Sequence, residues 1–150
     1  MAAGKVFWHL DRFSSKNSAE RVAIASSVIA DAFGSTRLFT LANAGWRSRG
    51  GKHITTVGPL PVAPAGTYAV EYLRSIFSLG TTAPLHVHSG SEAFYAVKGD
   101  TCFETPDGVQ IGQHLSGETR IQSPLQTQQK SSTTASPLRR DTLSLIAFQL

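Results

Sequence analysis

Residues 80–99 read GTTAPLHVHSGSEAFYAVKG, and the reading of the whole chain turns on this stretch. It holds two histidines two apart, His86 and His88, then a carboxylate four residues on, Glu92, with Gly80 and Gly99 at its ends. In a β-strand residues i and i+2 point to one face, so His86 and His88 aim both imidazoles at one point. The Ser89-Gly90-Ser91 bend then lets Glu92 open the next strand beside them. Two imidazoles and one carboxylate on one face hold a divalent metal and leave positions open for substrate, water or oxygen. The plain alternative is a surface His-x-His with an unrelated acid nearby. The apolar run 93–97 (AFYAV) and the Gly99-Asp100 turn signal favour the metal reading.

The spacing G-x5-H-x-H-x3-E-x6-G resembles the first signature motif of the cupin superfamily, and Gly80, His86, His88, Glu92 and Gly99 occupy all five positions. The resemblance implies an all-β fold, an antiparallel jelly-roll β-barrel, with a metal inside held by His86, His88 and Glu92. The second cupin motif, G-x5-P-x-G-x2-H-x3-N, supplies a fourth ligand from its His. Here the match departs. Counted from Gly117, the Pro position is Ser123, the Gly position Leu125 and the His position Gln128; counted from Pro124, the His position falls on Gln129. Gln128 is therefore the expected fourth metal contact, through its amide oxygen, with Gln129 and water as the alternatives. A surface amide is the bland reading of both glutamines. The motif covers about twenty residues; from about residue 37 onward the likeness is one of strand and turn rhythm.

The 150 residues suffice for one domain with a buried core. We expect a single cupin-like domain over 1–150, with residues 1–36 as an N-terminal extension and 37–150 as the barrel core. A hydrophobic fraction of 41% and a charged fraction of 16% suit a globular chain rather than a disordered one. No apolar run reaches the length of a membrane-spanning helix, and MAAGKVFWHLDRF lacks the apolar core of a signal peptide. A cytoplasmic location is the expectation, with a removed leader as the alternative. The single cysteine, Cys102, excludes an internal disulfide framework and reads as a core residue of TCFET. The net charge of +4 is scattered; Arg47, Arg49 and Lys52 are its one local concentration. That is too little for a nucleic-acid stripe and fits a solvated loop, or a rim attracting a small anion.

Along the chain, residues 6–13 (VFWHLDRF) predict a first strand, in which His9 is structural. Asn17 and Glu20 suggest a capped helix start, with a short helix through 21–26. Residues 28–33 and 36–41 flank Gly34-Ser35 as a hairpin; a single helix over 19–33 competes, because Val22, Ala25, Ile29 and Ala32 form a helical stripe. Residues 44–52 form a loop and 53–57 a strand. The prolines at 59, 61 and 64 exclude a helix there. Residues 67–79 alternate Tyr68, Val70 and Tyr72 against Ala69, Glu71 and Leu73, and either face can look inward. Pro106-Asp107-Gly108 joins strands 101–105 and 109–112. Residues 119–122 and 142–148 complete the strands, and the polar stretch 126–137 contains an exposed one.

Both histidines must be neutral to ligate, so metal affinity should fall as pH drops through the imidazole range. Fe(II), Mn(II), Zn(II) and Ni(II) all suit the donor set. Phe94 and Ala96 share Glu92's face and supply an apolar wall, while Tyr95 reads as outer packing. Arg74, Lys98 and Arg120 read as solvent-facing cations able to meet an anionic substrate. His53 and His114 lack a partner at metal-ligand spacing. The expected function is a metal-dependent enzyme, of oxygenase or isomerase type, acting on a small organic molecule. The alternative is a non-catalytic module holding a metal or small ligand at a degenerate site. Small-molecule ligands, no nucleic acid, no membrane and a homodimer through sheet edges complete the expectation.

Overall fold

The computed structural model describes residues 5–32, 34–60, 62, 69–78, 81, 86–87, 92–98, 101–105, 108–112, 119–120, 130–134 and 143–149. For residues 86–87 and those after Tyr95 it describes the backbone pairing alone. The chain divides into two compact units, Met1–Pro64 and Ala65–Leu150. Among the described residues antiparallel sheet makes up nearly all of the regular structure, with one short helix.

The first unit is a four-stranded sheet in the order β2-β3-β1-β4, built from β1 (Val6–Phe13), β2 (Ser27–Ala32), β3 (Ser35–Ala42) and β4 (Lys52–Leu60). The boundary expected at 36/37 falls inside β3, which is hydrogen bonded to β1 and β2 on either side. β1 forms where expected, since VFWHLDRF is rich in aromatic and branched residues suited to a pleated surface. It lies between β3 and β4, and four successive residues, Trp8, His9, Leu10 and Asp11, are buried. On one face Trp8 stacks on Phe39 with ring centroids 5.5 Å apart, beside Leu10 and Val57. On the other, Phe13, Leu38 and Ala19 form a cluster flanked by Val22, Ile29 and Trp46. Each large apolar side chain so buried contributes about 1.5–3 kcal/mol.

The β2–β3 hairpin forms, with Ala32 opposite Ser35 and a two-residue turn ending on Gly34 at φ +71. A two-residue hairpin turn of this kind needs positive φ, which glycine adopts without a Cβ penalty. The competing helix over 19–33 does not form. Val28 and Ile29 instead pair with Phe39 and Leu38, so cross-strand pairing outweighs the helical stripe. The helix α1 (Lys16–Glu20) is one residue over a turn long and starts earlier than the sequence suggests. Its cap is Ser15, which accepts the Ser18 amide at 3.2 Å, rather than Asn17; Glu20 sits 3.8 Å from Lys16 instead of reaching back to a cap. Residues 21–26 are turns and irregular chain. β4 runs on through Pro59 to Leu60, beyond the expected end at 57.

The described residues of the second unit form eight strands: β5 (Glu71–Phe77), β6 (His86–Val87), β7 (Glu92–Lys98), β8 (Thr101–Thr105), β9 (Gly108–Gly112), β10 (Thr119–Arg120), β11 (Lys130–Thr134) and β12 (Leu143–Gln149). They form two open four-stranded sheets, β10-β7-β12-β5 and β6-β11-β8-β9, neither of which closes into a barrel by hydrogen bonding. The β8–β9 hairpin spans residues 106–107, as Pro-Asp-Gly predicts. In β5 neither alternating face is buried throughout: Tyr72, Ser75 and Phe77 are half-buried, while Leu73 and Ile76 are exposed. Among the described residues no helix is long and apolar enough to cross a membrane.

Gly51 packs against the core beneath it, where an added Cβ would lie 2.6 Å from the Phe13 ring. Phe13 is itself wedged among Leu38 and Ala19 and has little room to give. Gly51→Ala should therefore destabilise the fold by about 1–3 kcal/mol. Urea denaturation followed by tryptophan fluorescence checks this.

Candidate functional site

Of the 80–99 motif the structure describes two strands. His86 opens β6, and Glu92 opens β7. Glu92 is 5% exposed, a costly position for a carboxylate that needs compensation by donors or a cation. β11 pairs with β6, Lys130 opposite Val87 and Ser131 opposite His86. The chain just after Gln128 and Gln129 is thus hydrogen bonded to the strand that carries His86. Gly80, His88, Gly99, His114, Gln128 and Gln129 lie outside the described residues. Among the described residues no three His, Cys, Asp or Glu side chains gather to hold a metal. Tyr95, expected on the outside, is 0% exposed, as is Ala93, because β7 is an inner strand between β10 and β12 and is covered on both faces. Arg74 is exposed, as expected.

The first unit holds a second polar constellation, on the face of β1 that carries His9 and Asp11. His9 Nε2 lies 2.8 Å from the Asn43 carbonyl and His9 Nδ1 lies 3.1 Å from Thr56 Oγ1. Thr56 Oγ1 is also 3.0 Å from His53 Nε2, and His53 Nδ1 is 3.0 Å from Asp11 Oδ1. Asp11 is 1% exposed and the His53 side chain 34%, so the chain of bonds runs from the interior toward solvent. The Trp46 ring lies over His9, centroids 5.4 Å apart. His9 being structural agrees with this placement. The role of His53 was hidden because its partners are β1 residues more than forty positions away. The readable signal was the i, i+2 pair His9 and Asp11 on a mostly apolar strand.

The partners assign the protons. A carbonyl only accepts, so His9 Nε2 donates to Asn43. Burial lowers the pKa of His9 below its ordinary 6.5, against the raising effect of the Asn43 bond, with Arg47 and His53 adding to the lowering. A neutral His9 then accepts at Nδ1, and the Thr56 hydroxyl must donate to it. The Thr56 oxygen is left only to accept from His53 Nε2, a bond that His53 makes when both its nitrogens carry protons, with Nδ1 donating to the Asp11 carboxylate. The distances are those of a hydroxyl–imidazole–carboxylate relay, yet the proton order is wrong for one. The His53 imidazole donates to the hydroxyl rather than taking its proton, so Thr56, His53 and Asp11 do not act as that relay. The arrangement joins β1, β4 and the loop 43–51 by polar bonds inside a protein core.

Comparison of the chain with family models, curated proteins and solved structures finds no match in any of the three.

Thr56→Val should cost about 1–3 kcal/mol, because it strands the buried His9 Nδ1 without a donor, whereas Thr56→Ser should retain most of the stability. Chemical denaturation of both variants reads the difference. His9 also sets a pH dependence. A lowered folded-state pKa means stability is present above 6.5 and is lost as pH falls through the folded value. Wild type should show this loss, and His9→Gln should show a smaller slope below 6.5 in the same denaturation series.

Proposed function

We propose that the second unit is a small cupin-type jelly roll that binds a divalent transition metal through His86, His88 and Glu92, with Gln128 as the fourth contact, and acts on a small organic molecule. The observation that carries the reading is the path of the chain. From β5 to β12 it crosses repeatedly between the sheets β10-β7-β12-β5 and β6-β11-β8-β9. Eight strands divided in this way support a double Greek key reading. The motif spans one such crossing, with His86 on β6 and Glu92 on β7. The pairing of β11 with β6 supports Gln128 as a neighbour of the same site.

The donor chemistry fits iron, manganese, zinc or nickel, and the buried Glu92 carboxylate is a placement that a cation would compensate. Such a metal supplies a Lewis acid with open positions for an oxygen-bearing ligand. Glu92 contributes the negative charge. Its position at the start of an inner strand fixes the backbone from which it projects. Phe94, two residues on and half-buried, lies on the same side of β7 by strand alternation and gives the site an apolar neighbour that excludes water. Pairing of two such units along exposed sheet edges is the proposed homodimer.

A non-catalytic binding module is the second reading, favoured by glutamine standing where the motif's fourth ligand is histidine. Elemental analysis of protein purified without chelator decides the metal question. We expect about one equivalent of transition metal in the parent, lost in His86→Ala and reduced in Glu92→Gln. A parent that neither carries nor takes up Fe(II), Mn(II), Zn(II) or Ni(II) overturns the metal reading. Metal retained without turnover of any small carbonyl or enol substrate favours the binding module.

A further inference from the structure

The polar chain of the first unit ends on a loop at one side and on a partly exposed histidine at the other. Register across β1 and β4 holds it in line, with His9 opposite Thr56 and Asp11 opposite His53. His9 Nε2 meets the Asn43 carbonyl at 2.8 Å, where the loop 43–51 leaves the sheet. That carbonyl also accepts the Trp46 amide at 3.2 Å, and the Gly45 amide bonds the Asn43 side chain at 3.1 Å, both within the loop. His9 is thus the β1 residue that pins this turn, with the Trp46 ring packed over it.

A single hydroxyl hydrogen serves the middle of the chain. Thr56 Oγ1 lies 3.1 Å from His9 Nδ1 and 3.0 Å from His53 Nε2, and its hydrogen serves only one of them. With protons on both His53 nitrogens, Thr56 donates to His9, and His9 carries its own proton on Nε2 for the Asn43 carbonyl. Loss of the His53 Nε2 proton leaves two lone pairs facing each other across 3.0 Å. Thr56 then turns its hydrogen to His53. The buried His9 Nδ1 is left without a donor, a cost relieved when His9 shifts its proton from Nε2 to Nδ1 and donates to Thr56. Nε2 now presents a lone pair to the Asn43 carbonyl at 2.8 Å, and the pin becomes a repulsion. The balance is one proton. That on His53 Nε2 leaves to water, while His9 loses a proton at Nε2 and gains one at Nδ1.

His53 keeps its bond to Asp11 through Nδ1 in both states. Asp11 Oδ2 has no partner, so release of Oδ1 as well would strand the whole buried carboxylate. The groups facing His53 are Asp11 and His9 of β1, with Lys52 beside it in β4 and Arg47 of the loop acting on His9. The β3 residues opposite Asp11 and His9 are Leu38 and Thr40, neither of them charged. Burial lowers the His9 pKa, which keeps that ring neutral and able to accept. We propose that His53, Thr56 and His9 form a proton-operated latch on the loop 43–51: one proton lost at the exposed end reverses the hydrogen-bond chain and releases the Asn43 turn at the other. The loop carries the exposed Arg47 and Arg49, so the latch ties the placing of two cations to the pH outside. It lies within Met1–Pro64 and does not rest on the metal reading of the second unit.

NMR of the imidazole nitrogens in the full chain, followed from about pH 5 to about pH 9, tests it. We expect His9 to pass from the Nε2–H to the Nδ1–H form with the same midpoint as loss of the His53 proton. The amide signals of residues 44–46 should shift with that midpoint. Protonation of His9 at the acid end places protons on both nitrogens and is distinguished by that from the exchange of forms. Thr56→Ser should keep the coupling, and Thr56→Val should break it, so that His53 titrates while His9 does not respond. His53→Gln, at a partly exposed position, should hold neutral His9 in one form throughout and carries the test if Thr56→Val fails to fold. A neutral His9 that keeps its Nε2 proton while His53 titrates overturns the latch. So does an exchange of forms that persists in His53→Gln. Amide shifts at 44–46 with a different midpoint overturn the release of the turn.

Discussion

Burial of β1 on both faces is the constraint on which the first unit depends. From Trp8 to Asp11 this strand lies between two others and is covered above and below, which leaves those side chains no water. Trp8 and Leu10 gain from that placement. His9 and Asp11 would lose heavily without polar partners, and both His9 nitrogens and Asp11 Oδ1 have one, while Asp11 Oδ2 does not. The solution is a chain of bonds through Thr56 and His53 that reaches solvent only at its far end. The loop 43–51 is bound into the same solution. Its Asn43 carbonyl fixes the His9 tautomer, Trp46 covers the ring, and Gly51 lets the chain press against Phe13. Core packing and loop conformation are therefore one problem with one answer.

The second unit is ordered by a different rule. Its strands are short, and neighbours in sequence mostly belong to different sheets. Such a path brings residues separated by a brief bend onto opposing sheets rather than onto adjacent strands of one. The His-x-His-x3-Glu motif follows this rule, with His86 on β6 in one sheet and Glu92 on β7 in the other. Similar economy explains why a polar stretch as unpromising as KSSTT forms a strand. β11 is held by β6 on one side and β8 on the other, so pairing compensates for the lack of apolar side chains.

Much of this was legible in the residues. Period-two patterning and turn chemistry locate β1, the β2–β3 hairpin, the β8–β9 hairpin and β12, since those signals act locally. Where two local signals overlapped, as at Val22, Ala25, Ile29 and Ala32, only the partner strand decided between helix and sheet. The cap of α1 was misplaced because Ser15, Asn17 and Ser18 are all competent, and tertiary packing of Ala19 selects among them. Of the two polar sites, the histidine motif is compact enough to see in sequence. The His9–Thr56 bond joins residues 47 positions apart and exists only once β1 and β4 are in register. Register is set by the whole sheet and is not written at any one position.

The strand order β2-β3-β1-β4 also governs when the first unit can come into being. Within this unit the first strand in chain order is an inner one. Its neighbours arrive about thirty and fifty residues later, while the β2–β3 hairpin has its partner at once. A chain emerging from the ribosome thus holds VFWHL, an apolar segment of high sheet propensity, without a lasting partner until β4 has been made. Lys5 before this segment and Asp11-Arg12 after it put charges of both signs beside the segment during that interval, and such flanking charges oppose pairing between copies. The residues that cost most to bury in the finished sheet are among those that keep the nascent one soluble.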